Sequence, residues 1–202
     1  MARYIGPTQK LSRRLGVDLG HKTNSMKVAR RLNVPPGSHG RKGTKKLSDF
    51  AVQLREKQKV KWAYGVLEKQ FKKYYEVASK TPAATGQELL KLLETRLDNV
   101  VFRLNFAPTR RSARQIVSHG HILVNNKKID IPSFQVKVGD TVTISSKAQK
   151  IPAVAELIKD DKLSVPSWLE KKAVVGRVKS SPERDNIDLE INEQLIVEYY
   201  SR

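Results

Sequence analysis

The sequence predicts an α+β fold, in which an irregular basic N-terminal arm leads into a helical domain and then into a small domain of helices and antiparallel strands. Three observations carry this. Gly and Pro interrupt the first 46 residues repeatedly, at Gly6-Pro7, Gly16, Gly20, Pro35-Pro36-Gly37, Gly40 and Gly43, so no long helix fits there. From Ser48 to Asn105 apolar residues recur at spacings of three and four, the mark of helices that pack by one face. After Gly120 the period switches to two.

Composition bounds the function. A chain of 202 residues can bury one good core or two modest ones, and two lobes are expected. Hydrophobic residues make up 39%, low for an enzyme with a deep pocket yet well above a disordered chain. Lys and Arg number 39 against 20 Asp and Glu, and a net charge of +19 opposes compaction unless a polyanion relieves it. Nucleic acid is the expected partner. An anionic membrane comes second, but no apolar run approaches the ~20 residues of a span, and MARYIGPTQKLSRRLG lacks the apolar stretch of a signal peptide. With no cysteine there is neither a disulfide nor a thiolate metal site, and a cytoplasmic protein is the simplest reading. His21, His39, His119 and His121 have no carboxylates at ligand spacing, so no metal and no cofactor are expected.

The arm, residues 1–46, carries Arg3, Lys10, Arg13, Arg14, Lys22, Lys27, Arg30, Arg31, Arg41, Lys42, Lys45 and Lys46 against one acid, Asp18. Tyr4, Ile5, Leu11, Leu15, Leu19, Val28 and Leu32 give it apolar anchors, so it should order on its partner. A helix begins after Ser48, a good N-cap followed by Asp49 in the first turn, and displays Arg55, Lys57, Lys59 and Lys61. Tyr64, Leu67, Phe71, Tyr74 and Ala78 describe the apolar face of a second, with Lys69, Lys72 and Lys73 away from it. Lysines in such number with few acids suit a surface lying along phosphates. Thr85 and Glu88 form a capping box for the next helix, read as continuous through QELLKLLETRLDNVVFRLN, with Arg96 and Arg103 on a shared basic edge. Asp98 is expected to pair with a nearby arginine.

Thr109 should cap a helix that closes on Gly120 as its C′ glycine. Arg110 and Arg114, and Arg111 and Gln115, form adjacent rows on it, while Ala113, Ile116 and Val117 pack inward. Arginines at a helix start oppose the dipole, a cost that a bound phosphate or tertiary acids would offset. Ile122 and Val124, a turn at Asn125-Asn126, Ile129 and Ile131, then Phe134, Val136 and Val138, then Val142 and Ile144 read as short antiparallel strands. Beyond Ser145 the pattern weakens to a short helix at PAVAELIKD, a packing anchor at Trp168-Leu169, a strand in AVVGRVKS, and a final helix in INEQLIVEYYS capped by Asn192. The tail from Pro182 is acidic, with Glu193 and Glu198 among its charges, so a protein contact or an intramolecular dock suits it better than RNA. The expected parts are 1–46, the arm; 47–92, a helical domain completed by 190–202; and 93–189, an α+β domain whose binding module occupies about 93–150.

No phosphate loop, zinc-protease motif or nucleophile with a partner is evident, so no catalytic residue and no small-molecule substrate are assigned. The helix–turn–helix shape around Phe106-Ala107-Pro108 could read DNA. The hairpin that follows, with His119, His121, Lys127 and Lys128 beside the arginine helix, suits irregular folded RNA better than one regular groove.

RLDNVVFRL, the TR..ARQ.VSHGHI.VN run and VQLREKQK.K..YGVLE.QF, with LSDF and INEQLIVEYYS in order at the two ends, resemble bacterial small-subunit ribosomal protein four over nearly the whole chain. The resemblance implies a non-enzymatic, primary binder of 16S ribosomal RNA that nucleates assembly of the subunit body, touches small-subunit protein five at an interface affecting accuracy, and lies near the channel through which messenger enters. It implies that Arg96 to Lys128 is an RNA-binding domain with contacts at Arg110, Arg111, Arg114, Gln115 and His119, and a messenger-facing set at Arg41, Lys42, Lys45 and Lys46; Arg96, Arg103, Lys127 and Lys128 of the same module, and Arg13 and Arg14 of the arm, are expected to face RNA as well. Zinc-binding members carry four cysteines in the arm, absent here, so a metal-free arm is expected. The competing reading is an RNA-modifying enzyme of pseudouridine-synthase type that uses the same module for docking.

Overall fold

The computed structural model describes residues 3–38, 46–160, 164–188 and 190–201. The chain divides into two compact units, Met1–Gly86 together with Glu190–Arg202, and Gln87–Leu189. The fold is α+β, as the change of period predicts. No helix among the described residues is long and apolar enough to cross a membrane.

In the first unit the arm is more regular than its glycines suggest. It holds two eight-residue helices, α1 (Thr8–Leu15) and α2 (Ser25–Leu32), each short enough to fit between breaks. Gly16, at φ +72°, ends α1, and Asn24 caps α2 by accepting from the Lys27 N–H. Leu11, Leu19 and Val28 are buried. Arg13 fastens the following segment by donating to the carbonyls of Val34 (2.8 Å) and Pro35 (3.2 Å).

Helices α3 (Asp49–Ala63) and α4 (Glu68–Ala78) follow, α3 capped by Ser48 as expected. The last helix of the chain, α10 (Glu193–Tyr200), packs on α3 and is capped by Asn192. Its fully buried Ile196 is its anchor, and Gln53 donates to Glu198 at 3.0 Å. Glu68 joins the three helices, accepting from Lys57 (2.7 Å), Lys61 (2.8 Å) and the Tyr200 hydroxyl (2.9 Å).

Burial is the largest single influence on the half-exposed Glu68 and pushes its carboxyl up. The three donors together outweigh it and hold the group at about 2, against an ordinary 4.5. Burial, then donation to Glu68, holds the Tyr200 phenol well above its ordinary value. Because the folded carboxyl titrates below the unfolded one, its contribution is complete above the unfolded value and is lost as pH falls toward 2. Thermal melts of Glu68→Gln should therefore be flatter with pH between about 5 and 2 than those of the unsubstituted protein. Parallel profiles would show that Glu68 clamps nothing.

Helix α5 (Thr85–Glu94), which belongs to the second unit from Gln87 onward, and α6 (Leu97–Arg103) stand where periodicity predicts one continuous helix. Helix α5 begins at Thr85 itself, with Glu88 in its first turn. The break lies at Thr95-Arg96, where Arg96 is extended. There the Leu97 N–H donates to Phe134 O (2.8 Å), the Val136 N–H donates to Thr95 O (2.9 Å), and Gln135 donates to Leu92 O (3.1 Å). The same bonds explain why 134–138, alternating though it is, forms no ladder strand: its backbone is spent on the helix break. A single bridge, Arg96 to Gln135, remains.

Helix α7 (Arg110–Ser118) starts where Thr109 accepts from the Ser112 N–H and ends before Gly120, at φ +69°. Strands β1 (Ile122–Val124) and β2 (Lys127–Ile129) form the expected hairpin, with Asn125 and Asn126 at φ +49° and +64° making the two-residue turn. β3 (Thr141–Ile144) pairs with β1, and β4 (Leu169–Lys172) and β5 (Val175–Val178) complete an antiparallel sheet of order β2-β1-β3-β5-β4. Short helices α8 (Ser146–Gln149) and α9 (Pro152–Lys159) link β3 to β4. The core gathers Leu97, Val100, Val101, Leu104 and Phe106 against the sheet, with Trp168 and Leu169 buried as anchors. At Gly176 a Cβ would run into the Leu104 side chain, so a bare backbone lets α6 settle on the sheet.

Candidate nucleic-acid interface

Helix α7 presents its cations in layers, and the layers follow from what lies beneath. Glu94, fully buried, accepts from Arg103 through Nε (3.0 Å) and Nη2 (2.9 Å) and from Asn99 Nδ2 (2.7 Å). Asn99 in turn accepts from Arg110 Nε at 2.8 Å, and the Arg110 guanidinium stacks 4.6 Å from the Phe102 ring centroid. Arg96 grips Asp98 with two bonds, 3.0 and 2.7 Å, and Arg114 approaches the same carboxylate at 3.9 Å. Arg103 also pairs with Asp188. At the start of α7, then, Arg110 is held by an amide and an aromatic ring, and Arg114 lies near the Asp98 carboxylate.

Two residues expected to face RNA are therefore inside. Arg96 is 1% exposed and Arg103 6%, so neither has surface to offer a phosphate; their charges are committed to Asp98 and Glu94. Arg110 and Arg114 are half-buried and held in place. Arg111, Gln115 and His119 are exposed beyond them, as are Lys127 and Lys128 on the hairpin. The Lys128 side chain runs across Gly120, and the His119 and His121 rings lie edge to face at 6.1 Å. These residues form one rigid cationic surface on a single unit. Glu94 and Asn99 position it without being legible as site residues; the only signal was a Glu and an Asn set into an otherwise apolar helical stretch.

In the first unit the cations of α3 are mostly engaged at home. Lys57 is 3% exposed, bonded to Glu68 and lying 4.4 Å from the Tyr199 ring centroid, and is another expected RNA contact that burial removes. Lys59 pairs with Glu56 (3.0 Å) and Lys61 with Glu68 (2.8 Å), while Arg55 donates to the last carbonyls of α1, Arg14 O and Leu15 O, at 3.1 and 3.2 Å. By contrast Lys69, Lys72 and Lys73 on α4 are exposed and have no partner among the described residues. Arg14 and Lys46 are exposed; Arg41, Lys42 and Lys45 lie outside the described residues. Glu193 and Glu198 are half-buried, Glu193 against Gly86 and Glu198 on Gln53. Beside them Leu47, Phe50 and Val52 are 40%, 47% and 38% exposed, and Phe50 lies 5.7 Å from the Tyr199 ring. Among the described residues no group of His, Asp and Glu gathers that could hold a metal ion. What the arrangement offers chemically is anion binding by fixed, charge-assisted donors.

Residues 3–94 match the Ribosomal protein S4/S9 N-terminal domain family and residues 95–142 the S4 domain family. Over the full length of both chains the sequence is 51% identical to the small ribosomal subunit protein uS4 of Aquifex aeolicus, 50% to that of Delftia acidovorans and 52% to that of Herpetosiphon aurantiacus.

Proposed function

The chain belongs to the small ribosomal subunit protein uS4 family, and on that premise we propose that it is a structural constituent of the small ribosomal subunit, a primary binder of 16S ribosomal RNA that nucleates the subunit body. The observation that carries this is the exposed row Arg111, Gln115, His119 beside Lys127 and Lys128, made rigid by the buried arginine–carboxylate network below it. Preorganised donors lose little entropy on meeting phosphates. The α4 lysines supply a further basic face on the other unit.

The same reading assigns protein five to the face where α10 docks on α3. Leu47, Phe50 and Val52 leave apolar surface uncovered there, and Glu193 and Glu198 act on it by seating α10. Through this contact the protein contributes to translational accuracy, and Lys46, with Arg41, Lys42 and Lys45, belongs to the side that meets messenger.

One reconstitution series tests both halves. Binding to the cognate RNA junction should weaken by about 10³- to 10⁵-fold between 50 and 200 mM salt, as expected for roughly six to ten neutralised phosphates. Phe50→Asp should lower retention of protein five and leave that RNA binding unchanged. A shallow salt slope would overturn the RNA half; undiminished retention of protein five would overturn the other.

A further inference from the structure

The five-stranded sheet has two unlike faces. One is the floor of the core, where Ile122, Val142, Ile144 and Val178 are at most 2% exposed. The other follows from the strand register. A row of five residues, Lys128, Leu123, Thr143, Val175 and Lys172, crosses all five strands on that side. Thr141, Arg177 and Glu170 make the next row. At ~4.8 Å between strands, four steps set Lys128 and Lys172 about 19 Å apart at the two edges.

Exposure marks this face as uncovered. Val175 is 38% exposed, the Lys172 side chain 83%, and Arg177 and Lys128 are exposed without a partner among the described residues. Glu170 lies 3.4 Å from Lys172 and 3.6 Å from Lys179, and Asp130 follows Lys128 by two residues. Two acids against Lys128, Lys172, Arg177 and Lys179 leave the face positive.

We propose that this outer sheet face is a second RNA-contact surface of the Gln87–Leu189 unit, additional to α7 and sharing Lys128 and Leu123 with the hairpin, and that it takes sugar–phosphate backbone. The inference rests on the ribosomal RNA reading above. Its rows carry no aromatic side chain, so bases have no stacking platform. What they do carry is cations for phosphates, the Thr143 hydroxyl for a phosphate or ribose oxygen, and flat aliphatic surface at Leu123 and Val175 for the sugar; the Thr141 hydroxyl donates to Asn125 at 3.2 Å. Such a surface positions RNA without reading its sequence.

The test uses the full chain carrying Lys172→Gln with Arg177→Gln. The dependence of log affinity on log salt should become shallower by about 2, one for each phosphate no longer neutralised, by the same amount for cognate and unrelated RNAs. The charge-conserving pair Lys172→Arg with Arg177→Lys should keep the original slope, which separates lost charge from lost fold. An unchanged slope in the Gln pair, while Arg111→Ala still lowers it, overturns the proposal and leaves the ribosomal RNA reading standing. Unchanged RNA affinity with weakened retention of a neighbouring ribosomal protein makes this a protein face and overturns it equally. Failure of the unsubstituted chain to bind ribosomal RNA overturns both readings together.

Discussion

Replacing Glu94 with Leu should destabilise the Gln87–Leu189 unit by about 3–5 kcal/mol, the cost of leaving one member of a buried ion pair without its partner. Glu94 is fully buried and takes three donated bonds, two of them from an Arg103 that is itself 6% exposed. Without the carboxylate, Arg103 still meets Asp188, but that side chain is 81% exposed and so supplies a weaker, solvent-screened partner. Asn99 also loses its 2.7 Å bond to the carboxylate and keeps only the 3.0 Å bond to the residue-94 backbone carbonyl as its anchor on that side, which loosens the amide that holds Arg110. Urea unfolding followed by Trp168 fluorescence in a Trp62→Phe background reads this unit alone. The double replacement Glu94→Leu with Arg103→Met should recover most of the loss, because an apolar pair of similar volume needs no compensating charge. A single substitution costing under about 1 kcal/mol, or a double one no better than the single, would show that the network carries little.

Neutralising Arg111, Lys127 and Lys128 together to Ala should lower affinity for the cognate ribosomal RNA by about 10²- to 10³-fold near 150 mM salt and make the salt dependence shallower by about 3. All three side chains are exposed, so the unfolding midpoint should move little. Arg96→Met should do the reverse, lowering stability because the buried Asp98 loses its two short bonds and keeps the longer approach of Arg114 at 3.9 Å. Filter binding across a salt series separates the two. Equal effects on stability and affinity in both variants would dissolve the distinction between outer and inner arginines.

That distinction was out of reach of the sequence. Arg96, Arg103, Arg111 and Arg114 are chemically alike, and helical spacing places them only relative to one another. Arg103 lies inside because Glu94, nine residues earlier, returns alongside it after the chain breaks at Thr95-Arg96. The break is made by 134–136, some forty residues away, so no local window contains its cause. Lys57 is buried for the same kind of reason: its aromatic cover, Tyr199 and Tyr200, arrives from the far end of the chain. Strand β4, LEKK, has no apolar alternation and becomes a strand only because β5 pairs with it.

Features governed by adjacent residues were legible. Ser48, Thr109 and Asn192 cap the helices they precede, Gly120 follows α7 at positive φ, and Asn125-Asn126 turns the hairpin. Each depends on one side chain or one backbone angle within a turn of its own position. By itself, then, the sequence determined a basic α+β protein, most of its caps and turns, and through its separated motifs its resemblance to a ribosomal family. Only the tertiary structure decided which cations are spent on buried carboxylates and which remain for a polyanion, because that choice depends on acids and aromatics brought together from distant parts of the chain, and burial, not charge, determines what a guanidinium can reach.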